Sequence, residues 1–128
     1  MAVRGIRGAT TADANTEEAI LAAARELLQT LRQANGCVPA DIAAVWFTVT
    51  ADLDAAFPAR AARQLGWVEV PLMDAVEMPV PGSLAACIRV LVLWNTDLDQ
   101  ASVRHVYLKR AAILRPDLAA TLAKEDGR

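Results

Sequence analysis

The run Cys87-Ile88-Arg89-Val90-Leu91-Val92-Leu93-Trp94 decides how this chain folds. Strand-forming residues lie on both sides of a single charge, which fixes Arg89 on a rigid element rather than on a loop. Strand faces alternate, so Arg89 shares its face with Cys87, Leu91 and Leu93. A guanidinium keeps its proton and is costly to bury unpaired, so that face must bring it an anion. Either the protein supplies the anion or a ligand does.

The rest of the chain is read outward from this strand. Pro79, Pro81 and Gly82 break the backbone before it, and residues 83–86 are compatible with a helical turn. After it, Thr96 to Ser102 reads as a polar connection and Arg104 to Leu108 alternates as a strand. Lys109 to Leu114 fits no single element, and about 116–128 reads as a flexible C-terminal tail. At the other end, Val3 to Arg7 is a short first strand and Thr10 to Asn15 a polar turn. A helix is expected from Thr16 to Asn35, with Asn15 as N-cap, an apolar stripe of Ile20, Ala24, Leu27, Leu28 and Leu31, and Gly36 as its stop. Ala44 to Thr50 reads as a buried strand, Pro58 to Leu65 as a short helix closed by Gly66, and Val68 to Met73 as a further strand. The order β-α-β-α-β-β-β predicts an α+β fold: one mixed five-stranded sheet with its helices on one face. A neighbouring subunit is the economical cover for the other face.

At 128 residues the expectation is a single domain spanning 1–128. The composition is 55% hydrophobic, yet no apolar run approaches the ~18 residues of a membrane span. Arg4 and Arg7 are not followed by the long apolar stretch of a secretory leader. The surplus apolar surface suits a subunit interface, and the expected protein is a cytoplasmic homo-oligomer with no membrane partner. A net charge of −2, with acids spread along the chain, gives no nucleic-acid footprint. Cys37 and Cys87 stand apart, as reduced cytoplasmic cysteines do. One histidine, His105, and no Cys/His cluster argue against a metal site, and no local signature marks a nucleophilic triad.

Positive charge is the chemistry that remains. Eleven Arg stand against two Lys, and Arg offers a planar fork matched to carboxylate or phosphate. Arg7, Arg60, Arg63 and Arg89 are placed on predicted elements, and Arg60 and Arg63, three apart, share a helix face. Glu77, an acid among apolar residues, either closes a structural ion pair with Arg89 or faces a ligand. Tyr107 is either a core aromatic with a satisfied hydroxyl or a ligand contact. Taken by themselves, Arg60 and Arg63 read as a solvated helix face.

Four motifs taken together resemble the monofunctional chorismate mutases of the trimeric α/β-barrel class. They are Arg4-Gly5-Ile6-Arg7-Gly8-Ala9-Thr10-Thr11, Phe57-Pro58-Ala59-Arg60-Ala61-Ala62-Arg63, Cys87-Ile88-Arg89-Val90, and Arg104-His105-Val106-Tyr107-Leu108 running through Leu114-Arg115-Pro116-Asp117-Leu118. The resemblance covers nearly the whole chain in the family's order. It implies a homotrimer whose sheets form a pseudo-α/β-barrel, with an active site at each subunit interface that rearranges chorismate to prephenate on the way to phenylalanine and tyrosine. By the same resemblance, Arg89 would contact the ether oxygen of the breaking bond and a carboxylate, Arg7 and Tyr107 would hold a carboxylate, and Glu77 would accept a hydrogen bond from the ring hydroxyl. Phe57, Ala59, Arg60 and Arg63 would come from the adjacent subunit, with Leu72 and Met73 lining the pocket and Leu114 and Arg115 near its mouth. Two positions depart from the pattern: Arg60 stands where lysine is common, and Asp74 where cysteine is common. Asp74 either points outward or joins Glu77 at the ring hydroxyl.

The chemistry suits these residue types. A pericyclic shift of a dianion needs no nucleophile, metal, cofactor or proton transfer. It needs a flexible arm held over the ring and positive charge where an oxygen gains electron density. Two other readings share part of the pattern. One is a small trimeric imine deaminase-like enzyme gripping a carboxylate with arginine, and the other a non-catalytic trimeric module that binds such an acid.

Overall fold

Alternation along β4 (Cys87–Thr96) sorts the molecule into two sides, with Ile88, Val90, Val92 and Trp94 buried while Arg89 and Leu91 reach the surface. The computed structural model describes residues 1–117. β4 is the centre of a five-stranded sheet in the order β3-β2-β4-β1-β5. Here β1 is Ala2–Thr11, β2 Ile42–Val49, β3 Leu72–Val76 and β5 Val106–Tyr107. β4 runs antiparallel to both β1 and β2, whereas β3 is parallel to β2 and β5 parallel to β1. The sheet is therefore mixed, as expected.

The helices α1 (Glu17–Asn35) and α2 (Ala59–Gln64) belong to the buried side. The stripe of Ile20, Leu27, Leu28 and Leu31 packs into one core with Ile6, Val45, Phe47, Val90 and Val92. Burying side chains of this size contributes about 1.5–3 kcal/mol each. Gly36 takes the left-handed conformation at φ 70° and ends α1. No helix among the described residues is long and apolar enough to cross a membrane.

Several boundaries differ from the sequence reading. β1 continues to Thr11, because Gly8 lets α1 and β5 close on the strand and β-branched Thr10 and Thr11 pair with Ile88 and Cys87. The N-cap of α1 is Thr16, whose hydroxyl accepts from the Ala19 N–H at 3.1 Å. Asn15 instead binds the loop ahead of α2, accepting from the Asp54 and Ala55 N–H groups. β3 starts at Leu72 rather than Val68, since Trp67 and Val70 turn into the core and leave Val68 exposed. Residues 83–86 are not helical, and Ala86 has a positive φ of 51°. β5 is only two residues long, and Lys109–Ile113 forms a 3-10 turn behind it. The expected tail lies, from residue 118 on, outside the described residues.

Candidate active site

Strand register builds the site. Thr48, Arg89, Ala9 and Tyr107 are consecutive cross-strand partners on β2, β4, β1 and β5, so they form one row across the face opposite α1 and α2. Two residues along, Met73, Trp46, Leu91 and Arg7 form a parallel row. Between these rows lies a cleft of about 420 Å³ lined by Arg7, Trp46, Thr48, Arg89, Leu91 and Tyr107.

Glu77 enters from just beyond β3, where its N–H donates to the Val49 carbonyl at 2.8 Å. Its Oε2 accepts from the Thr48 hydroxyl at 2.6 Å and lies 3.4 Å from the Arg89 Nε. The ion pair offered by the sequence is thus formed. The Arg89 side chain nevertheless stays 48% exposed and that of Glu77 27%. A half-exposed pair of this kind adds little stability. Its effect is geometric, setting an anion beside the cation that Arg89 presents to the cleft.

The surroundings fix these groups further. Cys87 at the head of β4 donates its N–H to the Thr50 hydroxyl at 3.0 Å, and Asp52 accepts from the Ala86 N–H at 2.8 Å and from the Thr50 hydroxyl. The Thr50 hydrogen bond is the main reason the Asp52 carboxyl sits below its ordinary range. Tyr107 packs with Leu84 and Leu114 against Ala9, Cys87 and Ala111, so the turn after β5 covers one end of the face. The Arg7 N–H donates to Nδ1 of His105 at 2.9 Å. Burial first, then the charges of Arg7 and Arg115, lower the His105 pKa and keep the ring neutral. Arg115 pairs with Asp117 at 3.2 Å.

The remaining sequence candidates gather elsewhere. Phe57, Arg60 and Asp74, with Val49, Pro58 and Val76, line a second cavity of about 480 Å³ that shares no lining residue with the first. Asp74 does not point outward. It is half-buried, and its Oδ1 accepts from the N–H of Ala59 at the start of α2, 3.1 Å away. Burial pushes its carboxyl up, opposed by that hydrogen bond and by the charge of Arg63. Arg60 pairs with Glu17 at 2.9 Å. Leu72 packs against the core beneath the helices, whereas Met73 stands on the opposite face beside Trp46.

Thr48 and Trp46 are missing from the sequence reading, which places Leu91 on the Arg89 face but gives it no site role. Alternation on β2 puts Trp46 and Thr48 on one side, but only the register with β4 reveals that this side is the one Arg89 occupies. Chemically, the first cleft presents two guanidinium groups and a phenol on a stiff sheet, with the Glu77 carboxylate paired to Arg89 beside it. That set grips a small organic anion carrying a carboxylate and a hydroxyl.

Comparison with known proteins agrees with this chemistry. The family described as chorismate mutase type I matches residues 3–118. The chain is 61% identical over 117 residues to the chorismate mutase AroH of Thermus thermophilus, covering 91% of this chain and 96% of that protein. It is 46% identical over 122 residues to the chorismate mutase AroH of Bacillus subtilis, covering 94% and 96%. A solved chorismate mutase from Clostridium thermocellum superposes with a TM-score of 0.84 at 50% identity, over 85% of this chain and 97% of that one.

Proposed function

Because the chain belongs to the chorismate mutase type I family and is a chorismate mutase, we propose that its two clefts are halves of one active site. Each half is completed by a neighbouring copy in a homotrimer. The carrying observation is the convergence of Arg7, Arg89 and Tyr107 on one cleft of the face opposite α1 and α2, with Glu77 paired to Arg89 beside it, while Phe57, Arg60 and Asp74 line a separate cavity of the same chain. That face also leaves Val3, Trp46, Met73 and Leu91 between 39% and 58% exposed. Apolar surface of this extent suits burial against another copy. A single-domain protein working in the cytoplasm fits the two free, buried cysteines.

Chorismate becomes prephenate in one pericyclic step: the ether C–O bond breaks while a C–C bond forms between the enolpyruvyl arm and the ring. No atom is exchanged with the protein. In our reading Arg89 faces the ether oxygen and one carboxylate, adding positive charge where electron density builds. Arg7 and Tyr107 hold a carboxylate, and Glu77 accepts from the ring hydroxyl. Phe57, Ala59, Arg60 and Arg63 of the adjacent copy, together with Leu72, Met73 and Asp74, close the pocket, and Leu114 and Arg115 lie at its mouth. Holding the arm over the ring removes the entropic part of the barrier.

Mixed assemblies test this reading. Arg89→Ala and Arg63→Ala disable opposite halves, so each variant alone is expected to be nearly inactive when loss of chorismate absorbance is followed. Dissociated together and reassembled in equal amounts, they should regain about a quarter of the wild-type rate, because one site in four then combines two intact halves. No recovery in a reassembled mixture would place both residues in a site within one chain.

A further inference from the structure

Resting on the reading above, we infer that Thr48 is a positioning residue for the reaction, acting through Glu77. Its hydroxyl is the donor at 2.6 Å to Glu77 Oε2, and Arg89 Nε approaches the same oxygen at 3.4 Å. Both contacts fall on Oε2, and in this reading Oε1 is the oxygen that takes a hydroxyl of the substrate.

Glu77 needs such a hold. It lies past the end of β3, its side chain has three rotatable bonds, and fixing a glutamate sacrifices rotamer freedom. The Arg89 contact is long and half-exposed, too weak to set the carboxylate by itself. Thr48 differs on each count. It sits within β2 directly opposite Arg89, its β-branched side chain is stiff at χ1, and an O–H to a carboxylate is a short charge-assisted bond. The strand thus fixes the hydroxyl, and the hydroxyl fixes Glu77 beside the Arg89 fork.

The test is a cycle of purified variants assayed with chorismate. Thr48→Val keeps the shape and removes the donor; kcat should fall about tenfold with KM within about twofold, the signature of lost orientation. Thr48→Ser, which restores a hydroxyl, should recover most of that loss, whereas a packing defect would not be rescued by the smaller residue. In a Glu77→Gln background the further effect of Thr48→Val should shrink to within about twofold, because the positioned group is gone. Should Thr48→Val not fold, Thr48→Ala serves in its place with the same expectations. Wild-type kcat in a folded Thr48→Val, or an undiminished loss in the Glu77→Gln background, overturns the inference. If Glu77→Gln itself retains wild-type kcat, the site reading fails first, and the inference falls with it.

Discussion

The backbone N–H of Arg7 donates to Nδ1 of His105, which ties β1 to the approach of β5 and requires a neutral ring with its proton on Nε2. Protonation would turn that acceptor into a second donor. Burial and the nearby charges of Arg7 and Arg115 already lower the folded-state pKa below the ordinary 6.5.

The unfolded chain therefore takes up this proton first. The contribution of His105 to stability is complete above pH ~6.5 and is lost as the pH falls toward the lowered folded value. Denaturant midpoints measured from pH 7 to 5 should decline for the wild type. His105→Gln, which keeps an acceptor without titrating, should show a shallower slope. Equal slopes would remove His105 as the cause.

Arg89→Ala should lower kcat/KM by about a hundred- to a thousandfold, the usual loss for one preorganised donor to a developing anion. The unfolding midpoint should move little, because the Glu77 pair is half-exposed. Arg89→Lys should also be severely impaired, since an ammonium cannot present the fork. Wild-type rates in a folded Lys variant would show that charge alone suffices.

With no proton transferred in the rearrangement, kcat of the wild type should be nearly flat between mildly acidic and mildly alkaline pH. A steep bell-shaped profile would point to an acid–base step.

At Asp74, burial raises the folded pKa, so its titration favours folding below the ordinary carboxylate range and that advantage is lost as pH rises through the raised value. Asp74→Asn keeps an acceptor for the Ala59 N–H and should match or exceed wild-type stability at pH 7. Asp74→Ala leaves that N–H without its partner and should lower stability by about 1 kcal/mol and raise KM for chorismate, because Phe57, Arg60 and Arg63 sit on and around α2.

The parts of the fold legible in sequence were those with local causes. Alternation about Arg89 sorted β4 into its two faces, and the stripe and Gly36 set the core side and the end of α1. Misreadings arose where tertiary packing overrode pattern. Val68 to Val70 alternates like a strand but is a loop pinned by Trp67, and the polar-looking Thr10 and Thr11 complete β1 because Gly8 lets neighbouring elements close in. The site was legible as residue types, through the resemblance of four motifs. Which of them share a cleft was not, since Thr48 and Glu77 lie 29 residues apart and meet only through strand order.

Gly8 shows how little room that arrangement leaves. A methyl group there would stand 3.0 Å from Val90 Cγ1, 3.2 Å from Leu27 Cδ1 and 3.2 Å from the Val106 carbonyl oxygen. The first two can shift slightly, but the carbonyl belongs to the β5 backbone, so any added side chain levers β5 outward and carries Tyr107 away from Arg7. Evolution of this scaffold is thereby channelled: new ligand preferences can be explored at the rim, while the missing side chain under the floor stays off limits.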